Sequence, residues 1–292
     1  MEHPVDDGQR RALIELPGPV IRDDTHEVRI DRTRGLVVKR FRSTDRHEPA
    51  REWTALSLLA RFAPELAPAP VSADLISEVP AVTMTLLPGT ELNAAPVTPS
   101  RACALAEALD RLWRSVPSIS QEFPAAVAPK PVSFTHQVRE MLATGPAMGD
   151  DPVALRARDA AAAWLEHEPL DRDGHAGHPA VLGHGDPCFA NYLWDGRRIR
   201  LVDFEDCGPS DRAFELAILT EHISAWSDAR MGADNFLTRF DLTQSEKTRI
   251  QNFRRLAALY WLIMLRPGGP SSTRNPPGTL RRQTDRLLRL LA

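Results

Sequence analysis

The sequence predicts an α+β fold in two lobes, a small antiparallel sheet followed by a larger, mainly helical part. Three observations carry this. Alternating, β-branched segments crowd the chain before Leu87. Helical periodicity dominates after it. Between them lies "PGTELNAAPVTPS", a run of turn formers that marks a lobe boundary, with residues 1–87 on one side and 88–292 on the other.

In order, "EVRID" (Glu27–Asp31) and "GLVVKRF" (Gly35–Phe41) read as strands joined by a turn at "RTR". Glu48–Phe62 reads as a helix, with Pro49 in its first turn and Leu56, Leu59 and Phe62 at helical spacing. Leu75–Val79 and Ala81–Leu87 are two further strand candidates. Thr98 is placed to cap a helix through "PSRACALAEALDRLWRSV", and "SFTHQVREMLATG" and "DPVALRARDAAAAWLEHE" continue the helical part. "PLDRDGHAGHP" is a loop. Short strands follow at Ala180–Leu182, Tyr192–Asp195 and Arg198–Val202. "SDRAFELAILTEHISAW" returns to helix, and "TQSE" (Thr243–Glu246) reads as a capping box opening a long helix to Leu265. "RPGGPSSTRNPPG" is a link to a basic terminal helix.

Composition narrows the function classes. An apolar fraction of 42% and a charged fraction of 26% are those of a soluble globular protein. A net charge of −3 supplies no global field for nucleic acid or acidic lipid. The cysteines, Cys103, Cys188 and Cys207, show no C-x-x-C spacing, so neither a disulfide framework nor a zinc site is expected. The start "MEHPVDDGQRR" has no apolar core, and the longest apolar run, Leu256–Leu265, is about half a membrane span. A cytoplasmic protein with no membrane contact is expected, as monomer or dimer. An arginine-rich nucleic-acid binder would need a basic face; "RNPPGTLRRQTDRLLRLL" is the one candidate and lacks aromatic stacking residues.

The densest chemistry lies in "HGDPCFANYLWDGRRIRLVDFEDCG", His184–Gly208. A hairpin through "DGRR" folds the loop at 184–191 close to the end of the second strand, at Asp203. The Asn191 amide oxygen and the Asp203 carboxylate are then two oxygen ligands for a hard cation, and Mg²⁺ suits so few protein oxygens. Asp186 stands nearby but separate, free to receive a hydroxyl proton. This is the parts list for phosphoryl transfer to an alcohol. A solvated hairpin with polar turns is the bland alternative.

"HGDPCFAN" followed by "LVDFED" resembles the aminoglycoside phosphotransferase and choline kinase-like family, relatives of the protein kinases. The resemblance extends in layout over most of the chain. It implies a bilobal protein-kinase-like fold, with Asp186 as catalytic base, Asn191 and Asp203 holding Mg²⁺, and His184 buttressing the loop. "GPSDRAFELA" is similar to a further family stretch, with Asp211 and Glu215 at its acidic positions. In a kinase-like enzyme a strand lysine meets the α/β-phosphates of ATP or GTP, and a helix glutamate holds it. Lys39 ends "GLVVK" and is the only lysine before Lys130; Glu52 shares a helix side with Leu56 and Leu59, with Glu48 as competitor at the helix start. Val37 would cover the adenine, Met84 would be the gatekeeper, backbone groups of Thr85, Leu86 and Leu87 would meet its edge, and Leu193 would form the floor. Taken singly these residues read as core or surface; their order and spacing carry the case. The chain departs from the pattern in having no G-x-G-x-x-G near Arg22–His26 and no glycine after Phe204.

Only seven residues separate Asp203 from Asp211, which leaves no platform for a peptide and implies a small-molecule hydroxyl acceptor. The segment Val202–Asn235 carries eight acids against Arg212 and Arg230. From these, Glu205, Asp206, Asp211 and Glu221 are expected to line a pocket for a cationic or polyhydroxylated substrate such as an aminoglycoside. A housekeeping kinase for choline, a sugar or an amino alcohol would use the same chemistry, and a nucleotide-binding pseudoenzyme would lack one of these core residues, none of which is missing.

Overall fold

The computed structural model describes residues 20–22, 26–42, 47–116, 123, 128–145, 147–168, 170 and 179–292. The phosphate-covering segment expected near Arg22–His26 and the loop expected at 169–179 lie largely outside the described residues.

The first lobe pairs β1 (Val20–Arg22), β2 (His26–Asp31), β3 (Leu36–Phe41), β4 (Pro70–Asp74) and β5 (Ala81–Thr85) in one antiparallel sheet. Its order is β1-β2-β3-β5-β4. Lys39 pairs with Val28 on one side and Val82 on the other, so it stands mid-sheet. Helix α1 (Glu48–Phe62) covers one face. Glu52, Leu56 and Leu59 recur at helical spacing on its buried stripe, and this turns the Glu52 carboxylate inward, as the sequence predicts.

Two sequence expectations are corrected here. Leu75–Val79 is not a strand; the edge strand is Pro70–Asp74. Pro70 opens an edge strand, where its missing N–H costs no ladder bond. Asp74 Oδ1 then accepts the N–H groups of Ile76 (3.2 Å) and Ser77 (3.1 Å), which turns the chain and leaves Ile76 exposed. The next strand stops at Thr85, short of Leu87.

The second part is mainly helical: α2 (Pro99–Ser115), α3 (Lys130–Ala143), α4 (Pro152–His167), α5 (Arg212–Glu221), α6 (Ala233–Leu237), α7 (Gln244–Met264) and α8 (Thr279–Leu291). Caps occur where the sequence places them. Thr98 accepts from the Arg101 N–H, and Thr243 and Glu246 form the reciprocal capping box. Leu256, Leu259, Leu262 and Ile263 of the apolar run are buried inside α7. Leu287 of the terminal helix is buried as well, and Gln283 Nε2 donates to Ala258 O at 2.8 Å. Among the described residues no helix is long and apolar enough to cross a membrane.

Two small sheets position the site. β6 (Thr90–Glu91), β8 (Tyr192–Trp194) and β9 (Ile199–Leu201) form one, and β7 (Val181–Gly183) pairs with β10 (Gly208–Ser210) in the other. The helix expected through Trp226 breaks at His222, which is extended (ψ 138°), and a π-helical turn follows at Ser224–Asp228. The cause is local: His222 Nδ1 accepts the Ser224 N–H at 3.2 Å and sits 2.6 Å from Ser224 Oγ, a side-chain bond that competes with the helical ladder.

Candidate active site

The strand pairs β7–β10 and β8–β9 bring the segments 184–191 and 202–207 side by side. His184 ties them: its Nε2–H donates to Val202 O at 2.8 Å. Its backbone N–H donates to Glu215 Oε2 at 3.1 Å, while Ser210 Oγ donates to Glu215 Oε1 at 2.7 Å. The ring packs 4.7 Å from Phe204 and 5.7 Å from Tyr192. Buried on all sides, His184 braces the loop. Burial raises the Glu215 carboxyl, against the pull of the Ser210 and His184 hydrogen bonds. Gly185 follows with φ +86°, and a Cβ there would come 1.9 Å from the Asp206 carbonyl oxygen, so the two segments touch through glycine.

Asp186 is held by both oxygens. Oδ1 accepts the Cys188 N–H at 3.0 Å, and Oδ2 accepts from Asn191 Nδ2 at 2.9 Å. With its nitrogen committed, Asn191 has its amide oxygen left for a ligand. The Val202 N–H donates to Asn191 O at 3.0 Å, so Asn191 stands beside the chain entering Asp203. Asp203 itself is in the left-handed region (φ 70°), a strained conformation for a non-glycine residue of the kind that gathers at functional sites.

The Asp203 carboxylate meets the first lobe. Lys39 Nζ donates to Asp203, lies 3.4 Å from Glu52 Oε2 and 2.5 Å from Glu205 Oε2. Burial alone would lower the Lys39 pKa, but the three carboxylates outweigh it and hold the ammonium charged far above neutrality. Burial raises the Glu52 carboxyl; Lys39 opposes this, and Asp203 and Glu205 add like-charge repulsion. Glu48 instead lies 3.7 Å from His26 Nε2.

The expected nucleotide cleft lies along β3, β5 and the segment after it. Val37 pairs with Met84, and Leu193 on β8 is half-buried beneath Gly89, whose Cβ would lie 3.0 Å from Leu193 Cβ. The Thr85 N–H is spent on Ala69 O (3.0 Å) and the Leu86 N–H on Gly35 O (2.8 Å). Among the described residues the Leu87 N–H takes no partner.

On the other side of Asp186 opens a cavity of about 330 Å³. Asp186 and Asp206 line it, together with Lys130, Gln137 and Phe134 of α3, His222 after α5, and Tyr260 and Trp261 of α7. Of the four acids expected to meet an acceptor, Asp206 alone lines this cavity. Glu205 faces the first lobe, 2.8 Å from His26 Nε2 and 2.5 Å from Lys39. Burial pushes its carboxyl up, but the His26 hydrogen bond and the Lys39 ammonium prevail and hold it below the ordinary carboxylate range. Asp211 caps α5 through the Phe214 N–H (2.9 Å) and pairs with Arg249. Glu221 is fully buried between Arg254 (2.8 Å) and Arg286 (2.8 Å). An acidic run in sequence is here a set of structural ion pairs.

Sequence reasoning missed His26, Lys130, Phe134, His222, Tyr260 and Trp261. The rarity of lysine was a signal for Lys130; the others read as ordinary core or helix residues, and only the fold brings them together.

A strand lysine held by a helix glutamate, beside an aspartate loop that opens on a cavity, defines the kinase-like phosphotransferase class. The profile of the APH phosphotransferase enzyme family matches residues 18–257, and the chain belongs to that family of small-molecule phosphotransferases. No curated protein matches the sequence. Among solved structures, a choline/ethanolamine kinase family protein from Mesorhizobium loti aligns with TM-score 0.60 and 18% identity, covering 94% of this chain and 87% of the other. An aminoglycoside phosphotransferase in ternary complex with AMP-PNP and hygromycin B aligns at TM-score 0.62 and 15% identity, over 94% and 92% of the two chains. An aminoglycoside 2′-phosphotransferase in complex with GDP aligns at TM-score 0.63 and 15% identity, over 96% and 91%. At these identities the likeness is one of fold.

Proposed function

We propose that the protein transfers the γ-phosphate of ATP or GTP, with Mg²⁺, to a hydroxyl of a small molecule. The observation that carries this is the position of Asp186: fixed by Asn191 and Cys188, it opens onto the cavity, while neighbouring Asp203 reaches Lys39 of the sheet. Complexes of the relatives with AMP-PNP and with GDP support a nucleotide donor.

In this reading the adenine or guanine lies between Val37 and Leu193, beside Met84, with the Leu87 N–H as the backbone donor to its edge. Lys39, held by Glu52, positions the phosphates. Asn191 through its amide oxygen and Asp203 through its carboxylate would hold Mg²⁺; this all-oxygen donor set suits a hard cation. Bound there, the ion supplies neutralisation of the phosphate charge. Asp186 accepts the acceptor's hydroxyl proton as that oxygen bonds to the γ-phosphorus. The bond from phosphorus to the β-phosphate oxygen breaks, and the nucleoside diphosphate leaves. His184 touches none of the reacting atoms and holds the loop in register.

The acceptor in this reading is a hydroxylated antibiotic or, as the alternative, a housekeeping metabolite such as choline, a sugar or an amino alcohol. The hygromycin B complex of one relative supports the first, and the choline/ethanolamine kinase family relative supports the second. The test is nucleotide consumption by purified protein, with ATP and with GTP, with and without Mg²⁺. It is run against aminoglycosides, other hydroxylated antibiotics, amino alcohols and sugars. Turnover with a housekeeping metabolite and none with any antibiotic rejects an antibiotic as the acceptor. No turnover with anything, despite tight Mg–nucleotide binding, makes the chain a pseudoenzyme.

A further inference from the structure

The acceptor cavity contains one side chain whose proton can be located by hydrogen-bond accounting. Ser224 Oγ accepts the Phe189 N–H at 2.9 Å. The same oxygen lies 2.6 Å from His222 Nδ1. The hydroxyl proton has His222 Nδ1 and the Cys188 thiol as possible acceptors, so the tautomer is decided by the backbone. The Ser224 backbone N–H donates to His222 Nδ1 at 3.2 Å. Accepting that N–H, Nδ1 does not carry a proton, so the neutral ring carries it on Nε2. Burial pulls the imidazole pKa down to about 4, against the opposing field of Asp186, so the ring is neutral at pH 7. With Nδ1 engaged by Ser224, Nε2 is the ring nitrogen left for a ligand in the cavity that His222 lines; the ring packs edge-to-face 4.8 Å from Trp261, and among the described residues Nε2–H makes no hydrogen bond to nitrogen or oxygen.

We propose that His222 is a specificity-determining residue: its fixed Nε2–H donates to a carbonyl or ether oxygen of an uncharged acceptor, next to the hydroxyl presented to Asp186. This rests on the phosphotransfer reading and names the substrate class of that site. The rest of the cavity agrees. Its charges are Asp186 and Asp206 against Lys130, too nearly balanced to hold a polycation. Phe134 and Tyr260 meet tilted at 49° and Tyr260 and Trp261 edge-to-face at 78°, with ring centroids 5.0 Å and 5.3 Å apart, and together they offer an apolar wall to a ligand. A neutral donor on such a wall selects by hydrogen bond and shape, not by charge.

Two measurements test this. The first is ¹⁵N NMR of the imidazoles at pH 7. An Nε2–H tautomer for His222, assigned by its loss in His222→Phe, is expected, and a protonated Nδ1 overturns the proposal. The second is Mg–ATP and Mg–GTP consumption with four probes. Chloramphenicol and uridine are uncharged ring molecules bearing carbonyls and hydroxyls, and hygromycin B and choline are cations. Turnover is expected with the uncharged pair. His222→Phe is then expected to raise the acceptor KM by about 10- to 100-fold with the nucleotide KM unmoved, and His222→Gln, which keeps an N–H donor, to recover part of it. Turnover confined to the cations, or a His222→Phe acceptor KM within about twofold of wild type in a protein of unchanged melting temperature, overturns the inference and leaves phosphotransfer standing. Absence of turnover with all four probes and the wider panel, with Mg–nucleotide bound by calorimetry, overturns both.

Discussion

Glu221→Gln separates a structural carboxylate from a substrate-binding one. Glu221 is fully buried; Oε1 accepts from Arg254 Nε at 2.8 Å, and Oε2 accepts from Arg286 Nη2 at 2.8 Å and Nε at 3.2 Å. Glutamine fills the same space but must turn an NH₂ toward one guanidinium, donor against donor. Hydrogen bonds to charged groups contribute about 1.5–3 kcal/mol each, and breaking a buried pair costs roughly 3–5 kcal/mol. The upper end is discounted here. Arg254 keeps Asp234 at 2.9 Å, and Arg286 keeps its place over the Trp226 ring at 5.1 Å. A loss of about 3 kcal/mol is expected, which for a chain of 292 residues lowers Tm by roughly 5 °C. Circular-dichroism melts measure that loss, and steady-state kinetics well below both midpoints are expected to show an unchanged acceptor KM. A Tm within about 2 °C of wild type together with a tenfold rise in acceptor KM refutes the reasoning and returns Glu221 to the acceptor site.

Asp203→Ala is expected to abolish transfer and to weaken Mg–nucleotide binding more than Asp186→Asn does, as read by calorimetry; transfer left intact contradicts the metal assignment. Lys39→Met leaves Glu52, Asp203 and Glu205 facing one another without their cation, and should cut kcat/KM for nucleotide by about 10²-fold or more. Its stability carries a signature of pH. A buried carboxylate whose titration is raised, as that of Glu52 is, destabilises the fold when ionised and ceases to do so once protonated. The Tm deficit of Lys39→Met should therefore be largest near neutrality and shrink as the pH falls through the raised Glu52 titration toward the ordinary carboxylate range, roughly 4. A deficit independent of pH refutes that. Gly185→Ala puts a methyl into the Asp206 carbonyl at a positive φ, and should cost about 2–5 kcal/mol by thermal melt, with loss of activity in whatever remains folded.

Much of the frame was legible because local signals there agree with tertiary demand. Glu52 shares its stripe with Leu56 and Leu59, so helical periodicity alone turns it inward. The capping box at Thr243 announces α7 in the sequence itself. Errors arose where a long-range or side-chain bond overrules propensity. Leu75–Val79 is β-rich in composition, yet the Asp74 carboxylate turns the chain there. The helix after Asp211 is periodic through Trp226, yet the Ser224 bonds to His222 break it. Charge was the poorest guide. Glu205, Asp211 and Glu221 stand close in sequence to Asp203, but their partners, Lys39, Arg249 and Arg254, lie on β3 and α7, and no local pattern names them. The cavity is made by α3, the turn after α5 and α7, whose aromatic residues each look like core until the helices are assembled.

Asp186→Asn tests the central claim most directly, because asparagine keeps the size of the side chain and an oxygen for one of its two donors, the Cys188 N–H or Asn191 Nδ2, while losing the capacity to take a proton. Its kcat for acceptor phosphorylation, measured alongside the calorimetric Kd for Mg–nucleotide, is expected to fall by about 10²- to 10⁴-fold while the Kd stays near that of wild type. A kcat within about tenfold of wild type would contradict the assignment of Asp186 as the group that receives the acceptor's proton.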